Sequence, residues 1–290
     1  MDYKASLRRY YVLSKPGIVY ANVLTAAAGY LYASVFDIDF TVLVGLVAGM
    51  ALLIAGACAY NNYLDRGIDA VMARTLKRGL VTGDIASWKA LLYATITASG
   101  GLALLTLTQN GLTTWLAVIA FVDYVILYGI GKRKTVHGTL VGCIAGSIPL
   151  VAGYTAVVGR IDAQAWLLFF LMVAWQMAHF YSIALYRVKD YKAAKIPVMP
   201  AVYGATATKL QAVLYMALFI ALAICLIIFG DIGWLAGGLL VILGGIWLAK
   251  ALRSYRVLQP AAWGRQSFLF SLIVVLTMSF SLAVGPLLGV

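Results

Sequence analysis

Long apolar runs separated by short polar ones organise this chain. Nine runs of about 18 or more nearly uncharged residues stand at roughly 16–36, 42–63, 88–108, 114–131, 139–158, 165–186, 209–229, 233–252 and 267–288. Each is long enough to cross about 30 Å of hydrocarbon as an α-helix. The pattern predicts an all-α integral membrane protein with nine transmembrane helices, forming one domain over residues 1–290.

The polar segments orient these helices. Of the 22 Lys and Arg residues, all but Arg160 fall in the amino-terminal segment or in every second connection. Basic residues collect in cytoplasmic loops, so the amino terminus is expected inside and the carboxyl terminus outside. The net charge of +12 is thereby explained by topology and calls for no nucleic acid. Composition agrees: 63% of residues are hydrophobic and 11% charged, with a mean hydropathy of +0.95. A soluble core is excluded by these values. Cys58, Cys143 and Cys225 lie far apart inside predicted helices and suggest neither a disulfide framework nor a zinc site. The first helix is long and lacks a cleavage site, which favours a retained anchor in a bacterial or archaeal cell membrane.

All ten acidic residues are Asp, and Asp65, Asp69, Asp84 and Asp190 sit among the cations of the basic loops. In "NNYLDRGIDAVMARTLKRGL", residues 61–80, Asn61, Asp65 and Asp69 fall at i, i+4 and i+8. A helix continuing past residue 63 would align all three on one face. Two carboxylates about 6 Å apart repel by roughly 3 kcal/mol at an effective dielectric of about 20. A divalent cation removes that cost: Mg²⁺ takes carboxylate, phosphate and water oxygens, and Arg74 and Arg78 suit the remaining phosphate charge. Ion pairing with Arg66, Arg74 or Lys77 on a solvated loop is the competing reading. A second element, "YRVKDYKAAKIPVMP" at 186–200, places Asp190 among cations after the sixth helix. Two such motifs four helices apart fit parallel four-helix repeats facing each other across a central cavity.

Asn61, Asn62, Asp65 and Asp69 resemble the NDxxDxxxD motif of the UbiA superfamily of intramembrane prenyltransferases. More narrowly, "KPGIVYAN" (15–22), "VHGTLVG" (136–142), "WQMAHFYSIAL" (175–185) and "DYKAAKIPVMP" (190–200) resemble its haem-farnesylating branch. That resemblance implies farnesyl diphosphate and haem b as substrates and haem O as product. It also implies Mg²⁺ on Asp65, Asp69 and Asp190, with Asn61 as a neutral ligand or orienter. Arg74, Arg78 and Lys189 would hold the diphosphate, His179 and His137 are candidate haem residues, and Asn22 a candidate cavity residue. A haem A synthase or terminal oxidase is the expected partner. The chain departs from the family pattern at Gly79 after Arg78 and at Ala178 before His179. A prenyltransferase for another acceptor and a secondary transporter are the rival readings. Against the transporter, the acidic residues lie at the inner rim; Asp123, inside the fourth helix, needs a partner or a cavity.

The charge asymmetry generates a topological test. Reporter fusions after Asp37 and after Arg160 are expected to be external; a cytoplasmic signal from either overturns the nine-helix reading.

Overall fold

The computed structural model describes residues 3–288, and among these every regular element is a helix. They are α1 (Tyr3–Leu13), α2 (Pro16–Ser34), α3 (Phe40–Leu64), the single turns α4 (Arg66–Asp69) and α5 (Gly79–Thr82), and α6 (Ser87–Thr108). α7 (Gly111–Val122) runs into α8 (Tyr128–Lys134) through a π-turn at Asp123–Leu127, making one rod. Then follow α9 (Gly138–Val158), α10 (Ala163–Tyr186), α11 (Val188–Ala193), α12 (Met199–Val202), α13 (Gly204–Phe229), α14 (Trp234–Ser254) and α15 (Pro260–Val284).

Eight of these units are long and apolar enough to cross a membrane: α3, α6, the α7–α8 rod, α9, α10, α13, α14 and α15 with its final turn. The chain is therefore a multi-pass membrane protein. α2 has 19 residues, about 28 Å of helix, and packs against α3, α9 and α15. Tyr20, Tyr30, Tyr32 and Asn22 make it less apolar than the others. That α2 is the first of nine crossings remains our proposal, tested by the fusions above. Two helices start earlier than hydropathy indicates. α13 begins at Gly204 and α15 at Pro260, where a proline at the first helical position loses no hydrogen bond. The polar opening turns of α15 hide it from a hydropathy scan, yet Trp263 is buried there and donates to the Ala251 carbonyl at 2.9 Å.

Two four-helix units, α2–α3–α6–α7/8 and α9–α10–α13–α14, meet along α2 and α9 through a reciprocal contact. A Cβ on Gly29 would run into the Leu150 carbonyl, and a Cβ on Gly153 into the Ala26 carbonyl. The same offset of 124 residues separates Ala26 from Leu150, Gly29 from Gly153, and Tyr30 from Tyr154. The correspondence extends to the loops that follow α2 and α9. Tyr30 Oη exchanges hydrogen bonds with the backbone of Asp39, and Tyr154 Oη donates to the Asp162 carboxylate. Asp39 and Asp162 then cap α3 and α10 through their side chains. Small residues permit the backbone approach that drives helix association where lipid supplies no hydrophobic force.

Gly153→Val should therefore overpack the α2–α9 contact, at a cost of about 1–3 kcal/mol, and lower the melting temperature of the purified protein. Gly245→Ala, which points into open space, should not. Equal melting of both variants would show that the seam is not tightly packed.

Candidate active site

The carboxyl-terminal end of α3 carries the acidic motif as its spacing predicts. Asp65 N–H donates to the Asn61 carbonyl at 2.9 Å and Asp69 N–H to the Asp65 carbonyl at 2.8 Å, so helical bonding continues through α4. Asn61, Asn62, Asp65 and Asp69 are all buried. The chain then turns back, fastened by Thr75 Oγ1 donating to the Asp69 carbonyl at 2.8 Å. This turn brings Arg78 in, and its Nη1 reaches Asp69 Oδ2 at 2.5 Å and Asn62 Oδ1 at 3.0 Å.

The remaining cations arrive from elsewhere. Lys132, at the end of α8, is ion-paired with Asp65 Oδ2, and Arg133 donates to Asp65 Oδ1 at 3.0 Å and to the Leu64 carbonyl at 2.7 Å. Lys15, between α1 and α2, donates through Nζ to Asn61 Oδ1 at 2.6 Å. Its backbone is left-handed, with φ of 49°, a strained geometry for a side-chain-bearing residue that suits a positioned functional group. Burial pushes the Lys15 ammonium down to about 8, a shift that the Asp65 carboxylate opposes. Two carboxylates thus face four cations. The excess positive charge at a partly buried membrane boundary is a receptor for a multiply charged anion.

The pairing differs from the solvated-loop expectation, while Arg78 stands beside the carboxylates. Asp65 and Asp69 are not on a solvated loop, since their side chains are only 10% and 3% exposed. Arg66 turns away to the Tyr63 carbonyl and lies over the Tyr63 ring, 4.3 Å from its centre. Arg74 is exposed and reaches the second motif, 5.8 Å from the centre of the Tyr191 ring. Asp190 and Lys189 lie on α11, half-buried and exposed respectively, in the same loop as Tyr191. Among the described residues no three acidic, cysteine or histidine side chains form one metal-binding cluster. The oxygen donors nevertheless suit a hard cation. Asp65 and Asp69 are adjacent on one face, Asn61 Oδ1 lies on the same face, and Asp69 engages Arg78 through Oδ2. Mg²⁺ is typically held by one or two carboxylates together with substrate phosphates.

His179 is buried on α10. Its ring stacks on Trp175 at 4.8 Å, contacts Phe180 and Phe268, and holds Nδ1 2.6 Å from Ser271 Oγ on α15. His137 is exposed just before α9. Asn22 is half-buried on α2, with its amide donating to the Ile18 carbonyl of the same helix at 2.8 Å. Asp123 in the π-turn accepts from Ala145 N–H of α9 at 3.2 Å through Oδ2, while its buried Oδ1 has no partner. Sequence spacing alone does not point to Lys15 or Lys132 as neighbours of the acidic motif. Lys15 opens the "KPGIVYAN" segment, the one sequence signal that pointed to it.

Comparison with known proteins agrees with this geometry. The UbiA prenyltransferase family profile matches residues 22–273. A relative from Chromobacterium violaceum named protoheme IX farnesyltransferase 2 is 43% identical over 279 residues, covering 96% of this chain and 92% of the relative. A protoheme IX farnesyltransferase of Yersinia pseudotuberculosis is 39% identical over 282 residues, covering 96% and 95%. Among solved structures, a UbiA homologue from Archaeoglobus fulgidus bound to GPP and Mg²⁺ superposes with a TM-score of 0.74 at 16% identity, covering 95% of this chain and 99% of that one. A digeranylgeranylglyceryl phosphate synthase superposes with a TM-score of 0.76 at 20% identity, covering 97% and 98%. With its fold, its acidic motif and a profile match over most of its length in agreement, the chain belongs to the UbiA prenyltransferase family.

Proposed function

We propose that this protein transfers the farnesyl group of farnesyl diphosphate to a vinyl group of haem b, with addition of water, forming haem O and diphosphate. The observation that carries the reading is the cluster of two buried carboxylates with four cations at the carboxyl-terminal end of α3. Relatives 39–43% identical over nearly the whole chain support haem b as the acceptor.

In this reading Asp65 and Asp69, with Asn61 beside them, would hold Mg²⁺, which when bound would supply charge neutralisation at the diphosphate. Lys15, Arg78 and Lys132 take the phosphate oxygens. Asp190, Lys189 and Arg74 close the site from the α11 side. Each carboxylate already faces a cation, and the positive charge beyond those pairs meets the incoming anion. The allylic C–O bond breaks with its electron pair leaving on the diphosphate, whose developing charge these cations stabilise. The vinyl π-pair then forms the new C–C bond, and water adds to the resulting cation beside the porphyrin and gives up a proton. The chain contributes charge, orientation and an apolar wall; none of its side chains forms a bond to substrate carbon.

Two outcomes follow. Asp65→Asn and Asp69→Asn are expected to lower turnover at least about 100-fold and also to lower the melting temperature, because each leaves a buried cation unpaired. EDTA should abolish wild-type turnover and Mg²⁺ restore it. Wild-type rates in either variant or under EDTA would retire the metal–diphosphate reading. On the acceptor side, His179→Ala should weaken haem b binding and shift its absorption spectrum, with farnesyl diphosphate affinity retained. Lowered melting with an unchanged haem titration would reduce His179 to a packing residue.

A further inference from the structure

Ser271 sets the protonation pattern of His179. Ser271 Oγ is 2.6 Å from the Phe268 carbonyl and 2.6 Å from His179 Nδ1. A carbonyl has no proton to give, so the single hydroxyl proton of Ser271 must lie on the Phe268 side. The other short contact then needs its proton from the ring, which makes His179 an Nδ1–H donor to Ser271 Oγ. In the neutral imidazole this leaves Nε2 with a free lone pair. No described residue hydrogen-bonds Nε2. It is not sealed in either, since the sealed and unpaired side-chain atoms of the described residues are Asn61 Nδ2, Gln109 Oε1, Asp123 Oδ1 and Ser281 Oγ. The ring is also fixed in plane, because Trp175, stacked on it, donates its Nε1–H to the Ser271 carbonyl at 2.8 Å. One serine therefore holds both members of the stack, through its hydroxyl and its backbone.

We propose that Ser271 is a positioning residue for the acceptor: by accepting the Nδ1 proton of His179, it presents Nε2 as a bare ligand to the iron of a haem substrate. Histidines that bind metals characteristically donate their other ring N–H to such a partner, which fixes tautomer and orientation. The inference rests on the reading of His179 as a haem residue given above, and the test separates the two.

The chain has only two histidines, so ¹⁵N-histidine labelling of the detergent-solubilised, haem-free protein gives two ring signatures, assigned with His137→Gln. His179 is expected to carry its proton on Nδ1; an Nε2–H signature overturns the proposal without any variant of Ser271. In haem b titrations Ser271→Ala should lose about 10- to 100-fold in affinity and displace the haem absorption band, and Ser271→Thr, which keeps the hydroxyl, should recover most of both. Farnesyl diphosphate affinity should stay constant across the series. If His179→Ala leaves the haem spectrum unchanged, the haem reading of His179 fails. If His179→Ala shifts the spectrum and Ser271→Ala matches wild type, only the role of Ser271 fails. Should Ser271→Ala not fold, the tautomer measurement on the unsubstituted protein still decides.

Discussion

Burying two neighbouring carboxylates at the edge of a membrane is possible only with cations in contact, and this requirement ties the molecule together. Asp65 and Asp69 draw Arg78 from their own loop and Lys132 and Arg133 from the end of α8, and Lys15, from the junction before α2, joins them through Asn61. An isolated half of this set is unstable, because a buried charge that loses its partner costs about 3–5 kcal/mol. The cluster is complete only where the loop before α2, the end of α3 and the end of the α7–α8 rod are packed together. The bonds from Asn62 Nδ2 to the Leu13 carbonyl and from Lys15 to Asn61, 2.7 and 2.6 Å long, tie the start of the chain to the same point.

Much of this was legible in the sequence because hydrophobic length and the spacing of short-range motifs are one-dimensional properties. The apolar runs located the long helices, and the i, i+4, i+8 spacing of Asn61, Asp65 and Asp69 placed them on one face. The motif also pointed to Arg78, but not to Lys132 and Arg133 as partners of Asp65. Lys132 and Asp65 stand 67 residues apart, and no spacing rule links them. The preference for basic residues on the inner side had already accounted for Lys132 and Arg133 as loop charges. For Arg66, next in sequence to Asp65, adjacency misled. Successive helical residues point in different directions, so it meets Tyr63 and not the carboxylate beside it. The start of α15 was hidden for a different reason: hydropathy averages over a window, and the polar residues that follow Pro260 dilute the signal of the buried Trp263.

Within the membrane the polar side chains are placed with equal economy. Trp175, His179, Ser182, Trp247, Ser267 and Ser271 join α10, α14 and α15 through hydrogen bonds of 2.6 to 3.0 Å. Lipid offers such groups no alternative partner, so a serine on one helix and an aromatic or hydroxyl side chain on the next specify both register and rotation. Asp65 and Asp69 follow α3 of the first four-helix unit, whereas this hydroxyl–aromatic seam joins α10 and α14 of the second to α15. The first unit carries the paired carboxylates Asp65 and Asp69, and the second carries the contact of His179 with Ser271.

The reciprocal contact of Gly29 and Gly153 has an evolutionary consequence. A self-complementary face, in which each partner offers the same glycine to the other's backbone, is what a dimer of identical subunits builds around a two-fold axis. Its survival inside one chain points to an ancestor of about half this length that paired with itself and was later joined end to end by duplication. Once fused, the copies no longer had to remain alike. One could retain Asp65 and Asp69 and the other could place His179 on the corresponding helix, so that an enzyme acting on two unlike substrates arose from a scaffold that began with two equal halves.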